Sequence, residues 1–278
     1  MATIHQCVGR YASEPLVIKN TYIRVWCLEE LCYYICENAD LLEEGFASNE
    51  LIDWVADECG LKELASKLKV VRRQSVKLES FVAEILNAAN YVDEEELKRI
   101  GRVIRANRSM PETGRLMVLA DYFLRGGNFV PALKTYERLL GMKQDGPDER
   151  QLSRIYINLG VIYARLFCFA EAADYYYKAY ELEPSGDIMF AFLAAKRMQL
   201  GDMEYLDFLG GLDMDTSVSS QVEDVMARAR KNYSESSGGK MTDELRKLRI
   251  GSDRNEYAAE AFAFLQDEKE RYRKYMAE

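Results

Sequence analysis

Between Arg154 and Pro184 the chain reads RIYINLGVIYARLFCFAEAADYYYKAYELEP, and its small and aromatic residues recur at the spacing of a helix pair. Tyr156, Leu159, Gly160 and Tyr163 fall on one helical face, and Ala172, Tyr176 and Ala179 fall on another. Gly160 and Ala172 are small enough for two helix backbones to approach closely, while Tyr163 and Tyr176 fill the space beside them. Pro184 ends the second helix, because proline lacks the amide hydrogen and its ring collides with the preceding turn. The same order appears upstream in LMVLADYFLRGGNFVPALKTYERLL, where Leu116, Leu119, Ala120 and Phe123 precede Gly127, Phe129, Ala132, Tyr136 and Leu139. A reduced version follows in IMFAFLAAKRMQLGDMEYLDFLGG, through Phe190, Leu193, Ala194, Gly201 and Met203, whose second helix lacks the small and aromatic residues, as expected of a terminal repeat. One such pair cannot bury its apolar face alone, so the constraint is that neighbouring pairs stack.

These positions resemble the tetratricopeptide repeat, W-x2-L-G-x2-Y followed by A-x3-F and P, with other aromatics in place of the family's own. Ala132 and Ala172 stand 40 residues apart, against a family period of about 34, so KQDGPDERQL must hold the excess in a loop or a longer first helix. The resemblance implies an all-α fold, an α-α superhelix of tetratricopeptide-like helix pairs, here with a small N-terminal β element. It also implies a non-catalytic scaffold that holds a peptide or helix of a partner protein in a concave groove. In such arrays the first helix of each pair lines the groove. The residues left on that face after packing are Met117, Asp121, Leu124 and Arg125, then Arg154, Asn158, Val161 and Arg165, then Ile188, Phe192 and Ala195. This surface reads as apolar with scattered cations, which fits a segment carrying hydrophobic anchors and at least one acidic group. Chaperone-binding members of the family grip a terminal carboxylate with Lys and Asn side chains from successive first helices. Only Asn158 fits that pattern; Met117 and Asp121, then Ile188 and Phe192, replace the others, which argues against a chaperone tail as ligand.

The rest of the chain divides by composition. Residues 1–26 carry the one strand signal, PLVIKNTYIRVW, read as a short hairpin turning at Lys19 and Asn20. Residues 27–110 read as a helical N-terminal region, with Ser48 and Asp93 as N-caps, the latter followed by glutamates that suit a helix N-terminus. Residues 111–212 hold the repeats. Residues 213–278 hold C-terminal helices around SESSGGK, read as a flexible linker near 234–240. The last helix places Ala258, Ala261, Leu265, Tyr272 and Tyr275 on a three-four spacing interrupted by Glu268. That stripe reads as the cap of the array in a monomer, the alternative being a homodimer formed through it.

Charge and residue types narrow the function further. The net charge of −9 opposes a polyphosphate partner. No apolar run approaches the roughly 20 residues that span a bilayer, and MATIHQCVGRYASEP lacks the pattern of an export signal, so the expected compartment is the cytoplasm. The six cysteines are irregularly spaced and read as reduced thiols; with His5 the one histidine, Cys32 and Cys36 offer no metal site, and no cofactor is expected. SSGGKMT lacks the leading glycine of a phosphate loop, and no G-x-S-x-G, HExxH or Cys-His arrangement is present, so no enzyme is predicted. The alternative is a transcriptional regulator that joins a helix-turn-helix to the repeats. KELASKLKVVRRQSVKLE has that outline, with Leu64, Ala65 and Leu68 before Val70 and Val76, and with Arg72, Arg73 and Gln74 opening the second helix. Against it, Glu37 to Glu58 holds eight acidic residues and no basic one, a face that repels DNA.

Overall fold

The computed structural model describes residues 7–74, 77–212, 216–251 and 254–277. Its chain divides into two compact units at Glu183 and Pro184. The first opens with β1 (Leu16–Val17) and β2 (Arg24–Val25), antiparallel with Leu16 opposite Val25. The turn between them passes through Lys19 and Asn20 and closes where the Tyr22 amide donates to the Ile18 carbonyl at 2.7 Å.

Five helices follow: α1 (Leu28–Glu37), α2 (Asn49–Asp57), α3 (Lys62–Arg73), α4 (Leu78–Ala88) and α5 (Glu94–Ser109), with two single 3-10 turns, Ala39–Leu41 and Glu44–Phe46, after α1. Ser48 caps α2 by accepting from the Leu51 amide at 3.2 Å, and Asp93 caps α5 by accepting from Glu96 at 2.8 Å. Helix α4 is the hub. It packs against α1, α3 and α5 and buries Leu78, Phe81, Val82, Ile85 and Leu86. The resulting aliphatic core runs from Ala12 to Ile104 and takes in Cys32 and Cys59 as apolar groups.

The repeats begin at α6 (Glu112–Arg125), paired with α7 (Phe129–Leu140), and continue with α8 (Glu149–Arg165), paired with α9 (Phe169–Leu182). They have a core of their own, centred on Ala120, Ala132, Tyr136, Ile155 and Leu159. The excess residues are taken up both ways: the α7–α8 connection runs from 141 to 148, and α8 has 17 residues where α6 has 14. A methyl group at Gly160 would stand 2.6 Å from the ring of Tyr176. The α8–α9 contact therefore depends on the absence of a side chain there. The tyrosine run packs on itself: Tyr163 stacks on Tyr175 at 5.4 Å, and the Lys178 ammonium lies 5.0 Å from the Tyr175 ring centre.

The second unit holds α10 (Gly186–Gln199), α11 (Asp202–Gly210), α12 (Thr216–Glu235), α13 (Ser237–Ile250) and α14 (Arg254–Ala277). The worn repeat appears as α10 and α11, but α11 has only nine residues and its Met203 is exposed. The expected flexible linker near 234–240 is instead a sharp helix-to-helix turn. Ser236 stands between α12 and α13 and caps the latter by accepting from the Gly239 amide at 3.0 Å. Gly239 permits this because any Cβ there would meet the Tyr233 carbonyl. Serines and glycines that read as a spacer supply here a cap and a close approach. Among the described residues no helix is long and apolar enough to cross a membrane.

Candidate partner-binding site

Helices α6 and α8 present neighbouring faces, and one polar cluster ties them together. Tyr136, buried on α7, donates its hydroxyl to Asp121 Oδ1 at 2.7 Å. Asn158 Nδ2 donates to the same carboxylate oxygen at 3.0 Å and to the Tyr136 hydroxyl oxygen at 2.8 Å. Arg154 closes the set by donating to Asp121 Oδ2. Both Asp121 oxygens, the Tyr136 hydroxyl and the Asn158 amide nitrogen therefore meet complementary atoms, the condition for keeping such groups inside a helical stack. Burial raises the Tyr136 phenol well above its ordinary range, and its bond to Asp121 reinforces the shift. The tyrosine accordingly stays neutral and acts as a fixed donor. The Asp121 side chain is 18% exposed and that of Arg154 61%, so the ion pair sits at a surface and its main effect is to fix two rotamers rather than to add much stability.

Two adjoining clefts open over this cluster. One, of about 410 Å³, is lined by Asp40, Val118, Asp121, Leu124, Arg125, Arg154 and Asn158. The other, of about 550 Å³, is lined by Gly114, Met117, Val118, Asp121, Arg150, Gln151, Arg154, Ile157 and Glu183. The structure thus brings together Met117, Asp121, Leu124, Arg125, Arg154 and Asn158, with Met117 almost wholly buried at the edge. Val161 and Arg165, farther along α8, line neither cleft.

Ile188, Phe192 and Ala195 require a correction. All three are buried, and the Phe192 ring meets Phe208 edge-on at 5.9 Å, because α10 packs against α11 and α12 and uses this face as core. They are packing residues. The expectation of an apolar surface with scattered cations also changes, since Asp40, Asp121 and Glu183 balance Arg125, Arg150 and Arg154 around the clefts. Val118, Arg150 and Ile157 were within reach of helical spacing from the residues named on α6 and α8. Asp40 had no such signal: it enters from a 3-10 turn that packs beside α6 far from it in sequence.

The helix-turn-helix outline is corrected too. Arg72 and Arg73 are the last residues of α3, Gln74 is its C-cap, and Arg72 donates to Asn49. Ser75 and Val76 lie outside the described residues. The helix that would read bases, α4, carries Glu79 in its first turn and is the buried hub of the N-terminal core. Desolvation pushes Cys36 up to about 11 and Cys59 up to about 12, and raises Cys32 as well, so these three thiols stay protonated at neutral pH.

Comparison with family models, curated proteins and solved structures finds no match to this chain.

Proposed function

We propose that this chain is a non-catalytic, tetratricopeptide-type scaffold that binds a segment of a partner protein in the α6–α8 clefts. The observation that carries the reading is the Asp121 cluster: it holds Arg154 and Asn158 in fixed positions on the cleft floor before any ligand arrives. Preorganisation of this kind lowers the entropic cost of association. Beside it, Arg150 forms no ion pair with a carboxylate among the described residues. The half-buried Val118 and Ile157 supply apolar contact on either side of Arg154. The ligand is therefore an extended or helical segment with an apolar anchor over Val118 and Ile157 and an acidic group reaching Arg150. Six free cysteines suit a reducing compartment such as the cytoplasm.

The test is selection from a displayed random-peptide library against the full chain, followed by anisotropy titration of the enriched peptides. Enrichment of acidic residues beside apolar ones is expected, with binding weakened by about tenfold or more on Arg150→Glu or Ile157→Asp. A selection with no enrichment, or peptides indifferent to both substitutions, overturns the reading.

A further inference from the structure

Helix α14 is ten residues longer than α13, against which it packs. Tyr257, Ala261 and Phe264 on α14 are half-buried, as are Met241, Leu245 and Leu248 on α13. A second apolar face is left over. Phe262 is 63% exposed, Leu265 54% and Tyr272 64%, and Ala258 is exposed with them. The stripe read from sequence through Ala258, Ala261, Leu265 and Tyr272 thus mixed two faces: Ala261 belongs to the packed one, and the side chain of Tyr275 lies outside the described residues.

We propose that this exposed face pairs in parallel with the same face of a second copy of the chain. Ala258, Phe262, Leu265, Lys269 and Tyr272 alternate steps of four and three, the seam of a two-stranded coiled coil with Phe262 and Lys269 at a and the others at d. Charge identifies the occupant. In this register Glu268 is a g residue and Arg273 the following e residue, five positions on, so a parallel copy sets each Glu268 against the other chain's Arg273. Arg273 forms no ion pair within the described chain. Glu268 accepts from Arg271 through Oε1 at 3.0 Å, which leaves its second oxygen for the partner. The antiparallel arrangement instead sets Glu268 near Glu268; the parallel one faces Lys269 with its own copy, which the long lysine stems relieve by carrying the ammonium groups out past the seam. A single lysine at an a position is a known device for fixing register and dimeric state. The seam is little more than two heptads long, marginal for a free peptide, but here contact with α13 holds the helix before association.

The experiment is sedimentation equilibrium of the full chain from low to high micromolar concentration, with far-ultraviolet circular dichroism of each variant. The expected result is a concentration-dependent rise from 32.0 kDa towards twice that mass. Phe262→Glu with Leu265→Glu should weaken association roughly a hundredfold or more. Arg273→Glu, at an exposed position that leaves the fold intact, should weaken it by about two- to fivefold, and adding Glu268→Arg should restore it. A single-chain mass throughout, association indifferent to the paired apolar substitutions, or a charge swap no tighter than Arg273→Glu alone overturns the proposal.

Discussion

The N-terminal helices and the repeats solve the same packing problem with different materials. Within residues 28–109, α1, α3 and α5 converge on α4, a single hub wrapped in large aliphatic and aromatic side chains. Residues 112–182 instead bring helices together in pairs, by placing Gly160, Ala132 and Ala172 where backbones approach and tyrosines where they part. Their buried polar groups differ in the same sense. In the repeats Tyr136, Asp121 and Asn158 satisfy one another and one neutral hydroxyl, that of Ser153, is buried without a partner, whereas in the N-terminal region the whole Glu79 carboxylate, one Glu29 oxygen and Asn107 Oδ1 have none among the described residues. The first region is sensitive to lost volume and the second to added volume and lost polar contacts.

The largest effect expected is a cavity at the hub. Phe81→Ala empties a fully buried site that contacts from several helices prevent from collapsing, and should cost about 3–5 kcal/mol in urea unfolding. Trp54 lies in this core and Trp26 just before α1, so the chain's two tryptophans report on it by their emission. An unfolding midpoint within error of the parent's would mean that α4 is not the hub.

Alkali separates the regions next. Burial raises Cys32 and pushes Cys59 up to about 12 from an ordinary 9.0, while in the repeats Tyr136 is raised and Tyr176 pushed up to about 12 from 10.0. The fold keeps these groups protonated. Their contribution is therefore complete below the unfolded value and lost as pH climbs towards the folded one. Between pH 9 and 10 the N-terminal core should lose about 1 kcal/mol for each of the two buried thiols, against about 0.4 kcal/mol for each of the two repeat tyrosines. The tryptophan-detected urea midpoint should drop over that unit of pH; a midpoint unchanged between pH 9 and 10 would remove the distinction.

A single methyl group reverses the order of sensitivity. Gly160→Ala places a carbon 2.6 Å from the Tyr176 ring, and the ring cannot withdraw without opening the α8–α9 contact, so about 1–3 kcal/mol should be lost. Thermal unfolding checks it, and a neutral outcome would show that the helices slide apart freely.

The same contrast explains what could be read in advance. The all-α fold and the small β element were legible, and so were the α6–α9 pairs, because close approach demands small residues at fixed offsets and leaves a periodic mark. The hub of the N-terminal region leaves none: aliphatic residues on α4 look alike whether one neighbour covers them or three. Ile188 and Phe192 were misplaced because an apolar residue facing a groove and one facing another helix have the same spacing. Asp40 was invisible because its place in the cleft is set by tertiary packing rather than by any local pattern. Ser236 and Gly239 misled through composition, since a capping serine and a close-contact glycine are also the residues of a spacer.

Two small changes carry the contrast to its finest point. Tyr136→Phe removes the hydroxyl between Asp121 and Asn158 and with it two hydrogen bonds, and should cost about 1–2 kcal/mol, because each partner keeps its bond to the other. Glu79→Met removes a carboxylate whose two oxygens are buried, yet should cost almost nothing. Both its oxygens lack hydrogen bonds, its nearest cations, on Arg108 and Arg105, stand 3.6 and 3.8 Å away, and those arginines are about half exposed and regain water once released. An ion pair of that geometry returns too little to offset the desolvation of the acid, and methionine of similar length fills the site without that penalty. The expected change is from zero to a gain of about 1 kcal/mol, read from urea midpoints at neutral pH. A loss above about 2 kcal/mol would mean that Glu79 is held as firmly as Asp121, and that the two carboxylates do not differ in kind.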